Sequence, residues 1–148
     1  MNFKYLLFSI VVAAFLTSAI GTDKRPEIGK TAPKIEMIDG TNLDSVMNLS
    51  GETKIISFWN PKNPSSRITN NELRHKYSSG NNEEVVFISI CTDDDESLMK
   101  EVMKIDGLDA DNNFSFSEIS PRVFKDYDVL ETPKAYIIGS DGTVKDVI

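Results

Sequence analysis

Three short stretches of this 148-residue chain carry residue types that could do chemistry, and each points to a different kind. The one cysteine, Cys91, ends "EVVFISIC" (Glu84 to Cys91). A thiolate is a nucleophile and a soft ligand, but a lone cysteine closes no internal disulfide. The second stretch is "SFWNPKNPSSR", residues 57 to 67, where a strand-like run ending in Trp59 meets a Pro-marked turn. Asn63 is a strong N-cap residue and Pro64 suits a first helical position, so a helix starts there. Bare amides at such a start can hold an anion or a substrate carbonyl, with Lys62 and Arg67 nearby. An N-cap side chain is also worth about 1 kcal/mol on its own, so the turn has a purely structural use.

The third stretch is "DADNNFSFSE", Asp109 to Glu118, in which Asp109, Asp111 and Asn113 alternate as in a calcium loop. Phe114 stands where that loop needs glycine, and Ser120 where it needs a bidentate acid. His75, the sole histidine, sits between Arg74 and Lys76, the setting of a solvated surface residue without a metal or triad partner. The expectation is neither metal nor cofactor. Cys91 keeps two readings, a small buried hydrophobe or a single reactive thiol.

These residues need elements to position them. "KIISFW" (Lys54 to Trp59) is an apolar run of strand length, and "EVVFISIC" is β-branched or aromatic through its centre. Ser65 to Tyr77 carries helix formers and stops at Gly80. The acids Asp93 to Glu96 suit the first turn of a second helix, running to Ile105 with Leu98, Met99, Val102 and Met103 on one face. Asp109 to Ser117 reads as a polar connector. "SPRVFKDYDV" (Ser120 to Val129) predicts a third helix, with Ser120 as N-cap and Pro121 in the first turn.

"KIEMIDG" predicts a short strand and turn, and Ser45 to Ser50 a helical turn or loop. "KAYII", "GSDG" and "TVKDVI" predict a terminal hairpin turning at Asp141-Gly142. Strands joined through helices are parallel while a hairpin is antiparallel, so the class is α/β with a mixed sheet. Trp59 and Cys91 then finish neighbouring parallel strands at one edge of the sheet, which brings the thiol towards the Asn63 turn.

The length fits one domain, since a core of this size buries roughly two-thirds of its unfolded surface without staples. Lys4, the apolar Leu6 to Phe15 and the small residues Thr17 to Gly21 read as a cleaved secretory signal over residues 1–21. Its apolar part is about ten residues, short of the roughly twenty that span a bilayer. Thr22 rather than cysteine follows Gly21, against lipid attachment. Without residues 1–21 the chain keeps 15 basic and 23 acidic side chains, a formal charge of −8. That balance argues against nucleic acid or anionic lipid as partner, because phosphates are bound by basic patches.

With this order of elements, Ile28 to Ile148 resembles the thioredoxin-like superfamily, in particular its exported TlpA and AhpC/TSA-type branch. "IGKTAP" is similar to that branch's opening, and "IISFWNPKNPSSR" sits where members have a strand, a Trp and a Cys-x-x-Cys pair followed by Arg. "DYDVLETPKAYIIGSDGTV" is similar to its helix end, Thr-Pro, strand and Asp-Gly turn. The resemblance implies an α/β/α sandwich of residues 22–148 and a cis bond before Pro133. It also implies a role in redox homeostasis outside the cytoplasm, periplasmic or secreted.

The two redox cysteines would fall at Asn63 and Ser66, which cannot exchange disulfides. Lys62 replaces the branch's second Trp, and Asn70 and Asn71 replace an apolar residue and a helix-kinking Pro. No Pro-x-x-x-Thr-x-x-Cys precedes Cys91, against a peroxiredoxin.

In relatives the loop at Thr132-Pro133 faces the redox turn and holds an extended peptide by strand addition. If Trp59, Asn63, Thr132 and Pro133 converge here, a groove remains without its chemistry; otherwise Pro133 merely shapes the strand entry. The expectation is a redox-inactive domain that binds a peptide or protein segment, the alternative a thiol-dependent oxidoreductase or antioxidant protein working through Cys91. Family members continue into a covering C-terminal helix that this sequence lacks. A homodimer or partner contact is therefore expected over the hairpin's Tyr136, Ile138, Val144 and Val147.

Overall fold

The computed structural model describes residues 25–78, 84–108 and 111–148. The signal-like segment, Gly80 and Asp109 lie outside them. In chain order the elements are α1 (Leu43–Val46), β1 (Thr53–Trp59), α2 (Pro64–Ser78), β2 (Val85–Cys91), α3 (Glu96–Ile105) and β3 (Asn113–Phe114). A 3-10 turn (Phe116–Glu118), α4 (Pro121–Asp126), β4 (Ala135–Ile138) and β5 (Val144–Val147) follow. The strands form one mixed sheet in the order β3-β2-β1-β4-β5. β3, β2 and β1 are parallel, and β4 and β5 antiparallel to their neighbours.

Alternation along β1 and β2 sorts side chains to two faces. Ile56, Phe58, Ile88 and Ile90 point to a core shared with Val123, Phe124 and Tyr127 from α4 and its end. Ile55 and Phe87 pack with Leu73 of α2, while Trp59 and Cys91 pack with Met99, Val102 and Met103 of α3. The α4 side is aromatic: Phe58 and Tyr127 have ring centroids 5.1 Å apart, and Phe116 stacks on Phe124 at 4.6 Å. Tyr136 donates its hydroxyl to the Tyr127 carbonyl at 2.8 Å, and Tyr127 donates to that of Pro33 at 2.7 Å.

Those last bonds show why the opening segment is more than a lead-in. Gly29 N–H donates to Val144 O, Val144 N–H to Lys30 O and Ala32 N–H to Gly142 O, at 2.8–3.0 Å. The segment thereby lies along β5 and helps close the α4 face. Tyr136, Ile138 and Val144 are at most 2% exposed within the chain's own core, so they are not the uncovered surface from which a contact was expected. Of the four residues invoked, only Val147 is open to solvent.

Other expectations also change. Glu36 and Met37 make isolated bridges, to Asn42 and Ile119, rather than a strand. Gly40, with φ 87°, folds the chain back so that Met37 N–H bonds Thr41 O at once. The connector contains β3, a two-residue edge strand beside Ser89 and Ile90. Ser120 makes no side-chain cap; its N–H bonds Glu36 O, and Pro121 alone marks the helix start. No cis peptide bond occurs among the described residues, so Thr132-Pro133 is trans, against the expected cis bond. The two isomers of an X-Pro bond differ by only about 0.5–1 kcal/mol, so the dipeptide itself does not dictate either.

Candidate functional site

The turn between β1 and α2 is tied by its own side chains. Asn60 Oδ1 accepts from Lys62 N–H at 2.8 Å, and Asn63 N–H donates to Asn60 O at 3.0 Å. Asn63 caps the helix as expected, its Oδ1 accepting from Ser66 N–H at 3.0 Å. Ser66 Oγ accepts from Asn60 N–H at 3.0 Å and lies 3.0 Å from Asn63 O, to which it donates. Asn63 and Ser66 therefore both hold the turn together. An N–H that would greet an anion is already bonded.

The two nearby cations are also committed. Lys62 Nζ sits 2.9 Å from Asp93, and Arg67 grips Asp106 with two bonds of 3.0 and 2.6 Å. Burial alone would raise the Asp93 pKa, but the Lys62 ammonium and the Asp95 N–H outweigh it and hold the carboxyl below its ordinary value. Lys62 is held above its own ordinary value by the same bond. Neither cation lines the cavity described next.

Cys91 ends β2 directly opposite Trp59 and is fully buried. Its Sγ is 3.5 Å from the Asp93 carbonyl. Burial pushes its pKa up to about 11, so almost no thiolate exists at neutral pH. Its side chain packs in the α3 cluster, and Asp93, whose carbonyl its Sγ meets, is also the partner of Lys62 in the turn.

A groove of about 280 Å³ does open beside that turn, and Asn63, Ser66, Thr132 and Pro133 all line it. Trp59 does not: it is 0% exposed and faces α3. Among the described residues Glu131, Thr132 and Pro133 make no backbone hydrogen bond, while the adjacent Lys134 carbonyl accepts from Phe58 N–H at 2.9 Å. Ser57 and Thr69 also line the groove, and reading the sequence missed both. The signal for Ser57 was one polar residue inside the apolar run "KIISFW".

No family model and no curated protein matches this chain. Solved structures do. A thioredoxin-like protein from Parabacteroides distasonis superposes with a TM-score of 0.69 at 26% identity, over 83% of this chain and 88% of that one. The chain has a thioredoxin-like fold. A thiol-disulfide oxidoreductase from Bacteroides fragilis superposes at 0.59 with 20% identity, covering 80% and 89%. A secreted disulfide oxidoreductase of Mycobacterium tuberculosis superposes at 0.58 with 21% identity, covering 78% and 81%. The resemblance read from Ile28 to Ile148 thus holds for the fold and for the kind of neighbour.

The remaining candidates fall outside this site of the thioredoxin-like domain. His75 is exposed in the last turn of α2. Among the described residues no three His, Cys, Asp or Glu side chains converge as metal ligands. No described helix is long and apolar enough to cross a membrane.

Proposed function

We propose that this is an exported, redox-inactive thioredoxin-like domain that binds an extended peptide or protein segment in the groove between α2 and the Thr132-Pro133 loop. The observation that carries the reading is the use of Asn63 and Ser66. Disulfide exchange needs a thiolate at the helix start and a second thiol to resolve it. Here the two side chains cap the helix and bond the turn, while the groove beside them persists. The unpaired backbone of Glu131 and Thr132 suits strand addition, in which main-chain bonds give affinity and side-chain slots give selectivity.

The rival, an oxidoreductase working through Cys91, requires a reachable thiolate, and burial with a raised pKa works against one. A disulfide-reduction assay on the purified protein separates the two. The expected rate equals that of the Cys91→Ser variant; activity clearly above that control ends the redox-inactive reading. Export is supported by the signal-like opening and by the secreted neighbour, and mass spectrometry of the exported chain should find Thr22 at its start.

A further inference from the structure

We propose that the groove selects a neutral side chain able both to donate and to accept a hydrogen bond, a carboxamide or hydroxyl, on the segment it binds. This rests on the peptide-binding reading above. The decisive residue is Ser57. It pairs with Ser89 across β1 and β2, so both side chains lie on the same face of the sheet. Ser89 Oγ is satisfied inside the chain, donating to Asn70 Oδ1 at 3.1 Å. Ser57 is 1% exposed and lines the groove, yet its hydroxyl has no partner among the described residues. The hydroxyl is reached from the groove, so a segment that fills the groove and expels its water must either bond this hydroxyl or leave it unmet.

The walls narrow the choice. Ser65, Thr69 and Thr132 bring further hydroxyls that make no hydrogen bond within the described chain. Glu131 and Lys134 also line the groove. Lys62 and Arg67 are spent on Asp93 and Asp106. Lys134 is engaged with Asp128 and Glu131 is exposed at the rim, so an ionised side chain that reached Ser57 would lose its hydration there against hydroxyls alone. An aliphatic one would leave Ser57 unmet. A thiol is a weak donor and a weak acceptor, so the preference also departs from the cysteine that a redox site would seek. Asn, Gln, Ser and Thr meet the requirement. A volume of about 280 Å³ admits one or two residues of an extended segment.

The test is selection of a random short-peptide phage library on the purified protein, followed by affinity measurements on the selected peptides. Ser57→Ala deletes a hydroxyl that holds nothing in the chain, and an unchanged melting curve checks that the fold is kept. Thr69→Trp plugs the groove from the α2 surface. Selected peptides should share Asn, Gln, Ser or Thr at one position, and Ala at that position should weaken binding about tenfold. Ser57→Ala should weaken the parent peptides equally and leave the Ala-substituted ones unaffected.

Peptides that Thr69→Trp excludes but that bind Ser57→Ala as tightly as the original protein overturn the side-chain selectivity and leave the groove as a peptide site. A selection that yields no peptide excluded by Thr69→Trp overturns peptide binding itself, and the selectivity with it.

Discussion

At the start of α2 the side chains are reachable and carry no sulfur. One strand away, at the end of β2, the chain's single cysteine is sealed among Trp59, Met99 and Met103. A thiol enzyme unites access, sulfur and the positive end of a helix at one point. Here the helix start has capping chemistry and a groove, while the thiol lies in a core cluster. The same sheet edge holds both regions, so their difference comes from local side-chain geometry rather than from topology. Placing sulfur at the turn is the strongest way to probe that difference. The Asn63→Cys/Ser66→Cys variant should form a disulfide under mild oxidation, since Asn63 and Ser66 already meet through two hydrogen bonds of 3.0 Å across the helix start. Its disulfide-reduction rate should rise from the Cys91→Ser baseline to a measurable value. A pair that stays reduced would show that the turn does not present these positions as a redox site does.

The second probe addresses the buried end. With a pKa of about 11 against an ordinary 9.0, native Cys91 holds about a hundredfold less thiolate at neutral pH than an unfolded chain does. Alkylation by iodoacetamide should be slower than in denaturant by at least that factor. Fast native labelling would erase the contrast between the two regions. Linkage gives a stability test with a definite sign. The unfolded thiol ionises first, near pH 9, while the folded one stays protonated to about 11. Stability tied to this group is therefore complete below about pH 9 and is lost as pH rises towards 11, by about 2–3 kcal/mol. Subtracting the pH profile of Cys91→Ala isolates it from the tyrosines.

Much of this was legible in the residues, for identifiable reasons. β1, β2 and α3 announce themselves through apolar runs and a one-sided helix face, and Asn63-Pro64 through cap chemistry; tertiary context then agrees with local preference. β3 was not legible, because Asn113 and Phe114 show no alternation over two residues and pair only where β2 offers an open edge. The opening segment's place along β5 depends on backbone bonds, which any side chains would permit. For the same reason Tyr136, Ile138 and Val144 looked uncovered in a hairpin considered alone. Trp59 was expected in the groove, yet alternation along β1 sends it with Ile55 and Ser57 to the α2–α3 face, where α3 covers it. Ser57 shares that face but lies two residues earlier, next to the groove.

The capping function of the turn sets a smaller effect. Asn63→Ala removes the acceptor for Ser66 N–H and should lower stability by about 1 kcal/mol, or a few degrees in melting temperature. Asn63→Asp should retain it, because a carboxylate caps equally well and meets the positive helix end. An alanine variant that melts with the original protein would show that the turn is held by Ser66 and Asn60 alone.

The smallest effect belongs to Lys62, whose side chain is 59% exposed and so heavily screened. Lys62→Met leaves Asp93 buried without its ammonium, so burial takes over and the carboxyl pKa moves up. In the original protein Asp93 has a depressed pKa, so its contribution is present above the ordinary value of 3.8 and fades as pH falls through the lower folded value. The stability difference between protein and variant should therefore be largest at neutral pH and shrink towards zero in acid, once Asp93 is protonated in both. A difference that is flat across that range would mean that Lys62 acts through packing of its methylene stem rather than through its charge. The link between the two regions would then rest on the pairing of Trp59 with Cys91 and on Thr92, whose N–H and hydroxyl both donate to Trp59 O.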